Sequence, residues 1–511
     1  ITPVARATDA PYPTDAPYPT GTPLPVDTPF PTSTPFPTYT PILITEAATP
    51  SPTAEPSEIP KEFINIMGEE YSVELESLDL SGKNLTDSDL IDLKWMTNLR
   101  SLDLRENQIT DCNLFSDLNK LENLCVSDND ITDISSLSKL ENLKALDLFD
   151  NKLLTDFTAV YQLKKLEELH IGATNNNYYE IDISGIKELE NLNTLQVERL
   201  HFSDFGPIST LKNLTKLTLT YTSTSDISQL FKLNNLTELT MQVNKIDDIS
   251  ALSELKSLSY LNLSGNWTVT DLSPLSKLVN LQELILDENE VKDISALSEL
   301  RNLKNLRLRG CPIRDVSPLS ELKNLETLCL ISNFRRIDDY SCFKELQNLT
   351  ELEISNINMK DVGYIVELKK LSMLYLSDPF EELDYSFLSK LKNLTYLVLD
   401  TGVTDLSFIS KLTQLTQLDL SYNTYLSNIE PLASLKNLKV LDLAGNQISH
   451  ISALSELTNL KYLNLWGARG IDLKDLYGLT NLAYLVLEYM PQEDIDALQE
   501  QLPNCKIVMS R

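Results

Sequence analysis

The sequence predicts an α/β solenoid, in which about 19 short repeats stack side by side and each adds one strand to a parallel sheet. A leucine pattern recurs through most of the 511 residues at a nearly constant period, and the 42% apolar share supports a buried core. A proline-rich composition before residue 60 sets the amino-terminal segment apart. These observations divide the chain into a segment without a core pattern and a long repetitive domain.

The repeat is clear in Asn437–Ile448, NLKVLDLAGNQI, where leucines at 438, 441 and 443 precede Asn446. The chain contains 19 copies of this pattern, and ten of the 18 intervals between them are 22 residues long. The pattern L-x-x-L-x-L-x-x-N with a period in the twenties is typical of leucine-rich repeats. We therefore predict a leucine-rich-repeat arc with a concave parallel β-sheet and short helical turns on the convex side.

Alternation of side chains along a strand explains why leucines flank Asp442 in this motif. Leu441 and Leu443 are expected to point into the core, whereas Asp442 points out of the concave sheet and is expected to be free for recognition. The polar residue that ends each strand is expected to bond the backbone of the turn. This position holds Asn107, Asn129, Asn151, Asn244, Asn266, Asn289, Asn333, Asn423 and Asn446, with Cys311 as a substitute.

A column of aspartates precedes the helical turns, often in the sequence Asp-Ile-Ser. Carboxylate oxygens are good capping groups at the start of a helical turn, so capping is the predicted role, with calcium binding as the alternative. The aspartates are Asp111, Asp133, Asp226, Asp248, Asp271, Asp293, Asp315 and Asp361.

The sequence predicts four segments: residues 1–60 as a Pro/Thr-rich stalk or linker, 61–76 as an amino-terminal cap, 77–490 as the solenoid and 491–511 as a carboxy-terminal cap. The first contains 16 of the 24 prolines, which remove backbone donors and favour extended chain. Ile59–Glu76 is expected to be a short amphipathic helix. In the second cap, Glu493–Gln501 is expected to be a helix and Cys505–Met509 a final strand.

One interval departs from the common period. It spans 26 residues between the fifth and sixth repeats and contains Asn175–Glu180, NNNYYE. Insertions in repeats map to loops because the leucine ladder must stay in register, so a bulging loop is predicted here.

Charge and composition exclude several function classes. The net charge of −31 argues against a nucleic-acid partner, which requires a basic face. No apolar run approaches the roughly 20 residues of a membrane-spanning helix. Of three histidines, His170 lies near Glu168 and Glu198, where a metal or acid–base site is conceivable, but a solvated histidine is the favoured interpretation. We expect no enzyme activity and no cofactor.

Outward-facing residues of the last six repeats are richer in aromatic side chains than those of the first 13. At the positions just before, between and just after the paired leucines, 39 sites in the first 13 repeats hold two aromatics, and 18 sites in the last six hold five. Exposed Tyr and Trp are enriched at binding surfaces. The predicted ligand-binding residues are Tyr375, Tyr396, Asp400, Asp419, Tyr422, Asp442, Tyr462, Asn464, Trp466, Tyr484, Glu488 and Tyr489.

Aromatic faces beside carboxylates suit a sugar ring or a basic protein surface, so the predicted partner is a protein or a glycan. The alternative is that the aromatic side chains pack on one another or cover the carboxy-terminal cap.

The period and the DISxLSxLxNL segments resemble the bacterial short-period repeats of the internalin type over about residues 75–490. The resemblance implies a surface protein that binds host or cell-envelope molecules on its concave face. The chain differs from internalins because its Pro/Thr tract precedes the repeats, and neither an immunoglobulin-like module nor an LPxTG sorting signal follows them.

We therefore expect a non-catalytic recognition or adhesion protein that is extracellular or tethered to the cell surface. Two alternatives come from other classes: an inert structural spacer in an envelope assembly, and the recognition arm of a larger secreted enzyme.

Residues 1–60 are predicted to be dispensable for folding, because they lack a core-forming pattern and the repeats bury their own leucines. A shortened chain that begins at Lys61 should melt within error of the whole chain, as followed by circular dichroism. A large loss of thermal stability would show instead that the tract packs on the solenoid.

Overall fold

The computed structural model describes residues 62–174, 179–331, 337, 339–357, 360–377, 383–488 and 490–509. Within these residues, twenty strands form one parallel sheet, which confirms the predicted leucine-rich-repeat solenoid. The first and last strands of this sheet each pair with a single neighbour, so the sheet is open.

The strands follow chain order, and most are three to five residues long. They are β1 (Phe63–Ile66), β2 (Glu69–Ser72), β3 (Ser77–Asp79), β4 (Ser101–Asp103), β5 (Asn123–Cys125), β6 (Ala145–Asp147), β7 (Glu168–Gly172), β8 (Tyr179–Glu180), β9 (Thr194–Glu198), β10 (Leu200–His201), β11 (Lys216–Thr220), β12 (Glu238–Thr240), β13 (Tyr260–Asn262), β14 (Glu283–Ile285), β15 (Asn305–Arg307), β16 (Thr327–Leu330), β17 (Glu351–Ser355), β18 (Met373–Ser377), β19 (Tyr396–Asp400), β20 (Gln417–Asp419), β21 (Val440–Asp442), β22 (Tyr462–Leu465), β23 (Tyr484–Leu487) and β24 (Lys506–Met509).

Short 3₁₀ helices return the chain on the other side of the solenoid, as the sequence predicted. They span Asp87–Asp89, Ile91–Trp95, Cys112–Phe115, Ser135–Lys139, Val160–Gln162, Ser184–Glu188, Ile208–Thr210, Ser228–Lys232, Ser250–Glu254, Ser273–Lys277, Ser295–Glu299, Ser317–Glu321, Ser341–Glu345, Tyr385–Lys390, Ser407–Lys411, Glu430–Ser434, Ser452–Glu456 and Leu473–Leu476. The described residues contain two α-helices, α1 (Val362–Val366) and α2 (Gln492–Gln501). None of their helices is long and apolar enough to span a membrane.

The core is a continuous ladder of leucines between the strands and the turns. Leu418, Leu441 and Leu463 are direct register partners on three consecutive strands, and none is more than 1% exposed. Leu443 and Leu454 of one repeat are also fully buried, the first behind the sheet and the second in the turn. Each repeat therefore buries its leucines only by stacking on its neighbours.

Buried asparagines join each repeat to the one before it, as predicted for the end of the strand. The Asn129 amide donates to the carbonyls of Leu104 at 2.9 Å and Val126 at 3.1 Å, and its oxygen accepts from the Ile109 N–H at 2.9 Å. The Cys311 thiol substitutes by donating to the Leu286 carbonyl at 3.2 Å. Asn333 lies outside the described residues.

A second asparagine ladder, whose role the sequence analysis did not assign, runs along the opposite end of the turns. These exposed asparagines each donate their amide to a carbonyl of the preceding repeat, as Asn235 does to Lys212 at 2.9 Å. The ladder comprises Asn142, Asn191, Asn213, Asn235, Asn280, Asn302, Asn324, Asn348, Asn393, Asn437, Asn459 and Asn481.

The aspartate column caps the turns, which confirms the favoured interpretation. Seven of the predicted aspartates, from Asp111 to Asp315, accept the backbone N–H two residues further on at 2.8 Å. Asp361 differs, because it is the N-cap residue of α1 and its side chain does not cap that helix.

The predicted amino-terminal helix over Ile59–Glu76 is wrong. The described part of this segment forms an antiparallel hairpin of β1 and β2. Ile64 and Ile66 are 2% exposed while Phe63 and Asn65 are exposed, and this period of two is that of a strand. Left-handed backbone at Met67 and Gly68, with φ of 49° and 88°, closes the two-residue turn.

The carboxy-terminal cap agrees with the sequence, with α2 followed by β24 as a last parallel strand on β23. The loop predicted at Asn175–Glu180 is wrong for its last two residues, which form β8 and pair with β10. Residues 175–178 lie outside the described residues.

The two asparagine ladders should contribute differently to the free energy of unfolding. Asn266→Ala removes the hydrogen bonds of the Asn266 side chain to the buried Met241 carbonyl and the Ile246 N–H, and one of the two amide bonds to the Leu263 carbonyl. We expect a loss of about 3 kcal/mol in the free energy of unfolding, measured by urea titration. The exposed Asn235→Ala should cost less than about 1 kcal/mol, because water replaces its bond. Equal losses at both positions would contradict this ranking.

Candidate ligand-binding site on the concave sheet

Three columns of side chains point outward from the sheet, since alternate residues of a strand face opposite sides. We call them the first, middle and third columns, for the residues just before, between and just after the paired leucines. Direct register partners share a column, as Asp419, Asp442 and Asn464 do on β20, β21 and β22. The predicted site residues occupy these columns over β18 to β23, except for Tyr422, one residue beyond the third column, and Tyr489, which lies outside the described residues.

Tyr462 and Tyr484 form a stacked pair in the first column, with ring centroids 5.7 Å apart and planes inclined by 8°. Val440 is the register partner on the other side of Tyr462, and the Lys506 ammonium lies 5.6 Å from the Tyr484 ring centroid. The faces of both rings are therefore directed along the sheet toward neighbouring side chains. The stack covers one face of each ring, and the binding role of the pair stays a prediction.

Asp442 is half-buried and already accepts two hydrogen bonds, so the expectation of a free carboxylate needs correction. The Ala444 N–H donates to one oxygen at 2.9 Å and the Asn464 amide to the other at 2.9 Å. Burial and the negative charge of Asp419 raise the pKa of Asp442 to about 6. Asp419 in turn accepts the Ser421 N–H at 2.8 Å. The two carboxylates lie side by side on adjacent strands.

Trp466 lies directly after β22, and Tyr422 lies three residues after the end of β20. Trp466 is half-buried in the third column, and Tyr422 is 59% exposed with left-handed backbone at φ 57°. A Cβ added to Gly445 would lie 2.8 Å from the Tyr422 ring, so that ring lies on bare backbone. Tyr425 is 73% exposed in the following turn, where the strand pattern used for the sequence analysis gave no signal for it.

The remaining predicted residues lie on β18 and β19 and directly after β23. Tyr375 and Tyr396 are half-buried on β18 and β19, and Asp400 is exposed at the end of β19. Glu488 is engaged by Arg469, whose Nη2 lies 3.3 Å from its Oε1.

His170 lies in a polar network at the other end of the sheet. Its Nδ1 is 3.2 Å from an Asp147 oxygen, its Nε2 is 3.5 Å from a Glu198 oxygen, and its ring stacks on Phe149 at 4.6 Å. Asp147, the register partner of His170, replaces the expected neighbour Glu168. Burial opposes the charged imidazolium, but the two carboxylates outweigh it and raise the pKa of His170 to about 9. The expectation of a solvated histidine is therefore wrong.

A third polar network, which the sequence analysis missed, lies in the middle of the sheet. Arg307 Nε is 3.0 Å from Asp287 and its Nη1 is 3.8 Å from Glu353, two strands away. The Cys329 thiol, on the strand between, donates to Glu353 at 3.1 Å. Glu353 is only 2% exposed, so its charge is balanced within the molecule.

Comparisons with known proteins agree with this architecture. The two-copy leucine-rich-repeat family model matches residues 119–162, 256–299 and 301–345, and the leucine-rich-repeat model matches residues 413–467. No curated protein matches the sequence.

Several solved structures are similar. Internalin C2 of Listeria monocytogenes is 31% identical, with 38% of this chain and 75% of that chain covered and a TM-score of 0.27. Internalin InlF of the same organism is 24% identical over 78% of this chain and 89% of that chain, with a TM-score of 0.38. The TLR13–ssRNA13 complex is 23% identical over 76% of this chain and 64% of that chain, with a TM-score of 0.50. With the family models and the 31% identity, the chain belongs to the leucine-rich-repeat family and is internalin-like.

The His170 network predicts a pH-dependent contribution to stability. Because the folded-state pKa of about 9 exceeds the ordinary value of 6.5, the contribution is complete below pH 6.5 and is lost as the pH rises through 9. His170→Gln should remove up to about 3 kcal/mol at acidic pH and far less at alkaline pH, by urea titration. The exposed His450→Gln is the control. A difference between wild type and His170→Gln that does not change with pH would contradict the assignment.

Proposed function

We propose that this chain is a non-catalytic recognition or adhesion protein that binds a protein or glycan ligand on the concave sheet over β18 to β23. It acts outside the cell or tethered to the cell surface, in keeping with the Pro/Thr-rich composition of residues 1–60 and the internalin-like repeats. The observation that carries the proposal is the concentration of half-exposed aromatic side chains there: Tyr375, Tyr396, Tyr462, Trp466 and Tyr484.

The polar side chains of the same face support a binding role over a catalytic one. The histidine of the concave face, His170, is held between Asp147 and Glu198, and Arg307 is held between Asp287 and Glu353. Such closed networks leave no poised acid, base or nucleophile at those positions. The net charge of −31 supports a partner other than nucleic acid.

Substitution of Trp466 is the most direct test of this proposal. An array of proteins and glycans probed with residues 61–511 would supply the ligand. Trp466→Ala should then weaken its affinity by about 2 kcal/mol, measured by titration calorimetry, because a partly exposed tryptophan in a binding patch is a typical hot spot. The thermal midpoint should shift by no more than about 3 °C, because the core leucines are untouched.

Trp267→Ala is a matched control, since Trp267 is 71% exposed and lies in a turn far along the chain from the patch. It should leave the affinity unchanged. The proposal fails if binding survives both Trp466→Ala and Tyr484→Ala, or if both of these variants unfold.

A further inference from the structure

The acidic residues of the middle column fall into two groups. They are Asp79, Asp103, Asp147, Glu353, Asp419 and Asp442. The first four have a basic neighbour in the molecule. Asp103 forms an ion pair with Arg105, whose charge also lowers the pKa of Asp79. His170 pairs with Asp147, and Arg307 with Glu353. Each of these four acids thus has a cation nearby, from the middle or the third column, whereas Asp419 and Asp442 differ.

Asp419 and Asp442 form ion pairs with no lysine, arginine or histidine among the residues that the structure describes. Their hydrogen-bond donors are neutral: the Ser421 and Ala444 N–H groups and the Asn464 amide. Because they are direct register partners, the two residues lie about 4.8 Å apart. Two half-buried carboxylates at this spacing repel one another without a positive charge to balance them.

Aromatic side chains stand on both sides of this pair. Tyr396 is on β19, one strand before Asp419, and Tyr462 and Trp466 are on or directly after β22, one strand beyond Asp442. The two walls are three strand spacings apart, or about 14 Å. The floor between them is lined by shorter side chains: Gln417, Ser421, Val440 and Ala444. We call this stretch of the sheet, with Asp419 and Asp442 at its centre, the acidic notch.

The tyrosine hydroxyls and the carboxylates of the notch lie close enough to act on one another. Burial raises the pKa of Tyr462 to about 12, and the charges of Asp442 and Asp419 add to the effect. Burial likewise raises the pKa of Tyr396, with Asp419 as the next contribution. The notch is therefore a single electrostatic unit with net negative charge.

We propose that the acidic notch receives an arginine side chain from a protein partner. This inference rests on the proposed recognition function and selects its ligand class. A guanidinium offers five N–H donors in a planar fork, enough to bond two carboxylates at once. A guanidinium is also weakly hydrated, so it loses little hydration free energy on entering a half-buried notch.

Other occupants fit the notch less well. A lysine ammonium is a compact, strongly hydrated point charge that cannot span two carboxylates in a plane. A sugar needs an open ring face, whereas Tyr462 and Tyr484 stack on each other. Among the described residues, no group of three or more His, Cys, Asp or Glu side chains is placed to hold a metal ion. The planar guanidinium of an arginine side chain is therefore the occupant that best fits the notch.

The test uses acetyl-tetraarginine amide as the probe, with acetyl-tetralysine amide and acetyl-tetracitrulline amide beside it, in calorimetric titrations at about 0.1 M salt. We expect binding in the order arginine, lysine, citrulline. The double variant Asp419→Asn, Asp442→Asn should weaken arginine binding at least tenfold.

A control double variant separates the notch from the general negative charge of the protein. Asp79→Asn with Asp248→Asn removes the same charge, and both residues accept a backbone N–H two residues on, as Asp419 does. It should change the affinity less than twofold. Equal weakening by the two double variants, or no weakening by the first, overturns the inference. The single Asp419→Asn variant repeats the test if the double variant melts early.

The outcome is distinguishable from that of the wider proposal. Ligand binding that requires Trp466 but is indifferent to Asp419 and Asp442 overturns the arginine inference and leaves concave-face recognition standing. The opposite result is also possible: arginine binding depends on both aspartates, but ligand binding is unchanged by substitution of Trp466 and Tyr484. That result supports the notch and overturns the wider patch.

Discussion

Every other feature of this molecule depends on the requirement that leucines of one repeat be buried by the repeats on either side. Leu441 has no water contact because Leu418 and Leu463 lie directly beside it. A repeat that shifted by one residue would turn its leucines to solvent and its outward residues to the core. The period is therefore fixed physically, and the outward columns are fixed with it, which is what allows side chains on different repeats to form lasting clusters.

Burying apolar side chains in this way also buries backbone N–H and C=O groups. Asparagine side-chain amides form hydrogen bonds with these groups. Asn129 bonds three carbonyls and one N–H across two repeats, and Cys311 shows that a thiol can take over part of this role. The same logic governs the charged networks of the concave face. Half-buried charges are tolerated there when a partner lies on a neighbouring strand, as His170 does for Asp147. Asp419 and Asp442, on which the proposed arginine site rests, have no such partner among the described residues.

Sequence periodicity predicted the repeat strands, the turns, the asparagine ladder and the carboxy-terminal cap, because each follows from one local pattern copied many times. It failed at the amino-terminal hairpin, where Ile64 and Ile66 supply only two alternating apolar residues and no neighbouring copy confirms the reading. It also missed the contacts that depend on register between strands. Arg307 and Glu353 lie two strands apart, and the stacking of Tyr462 on Tyr484 depends on ring orientation. The local sequence pattern predicts neither of these two contacts.

The contact between Lys506 and the Tyr484 ring links the proposed binding face to the terminal strand β24. The end of a solenoid is where a stacked structure frays first, since its last strand has a neighbour on one side only. Lys506 on β24 contacts the Tyr484 ring on β23, so the two residues join the last strand to the rest of the sheet. Any partner that immobilises the tyrosine pair therefore also holds the last strand closed, and slower amide exchange in β24 would report occupancy of a surface one strand away.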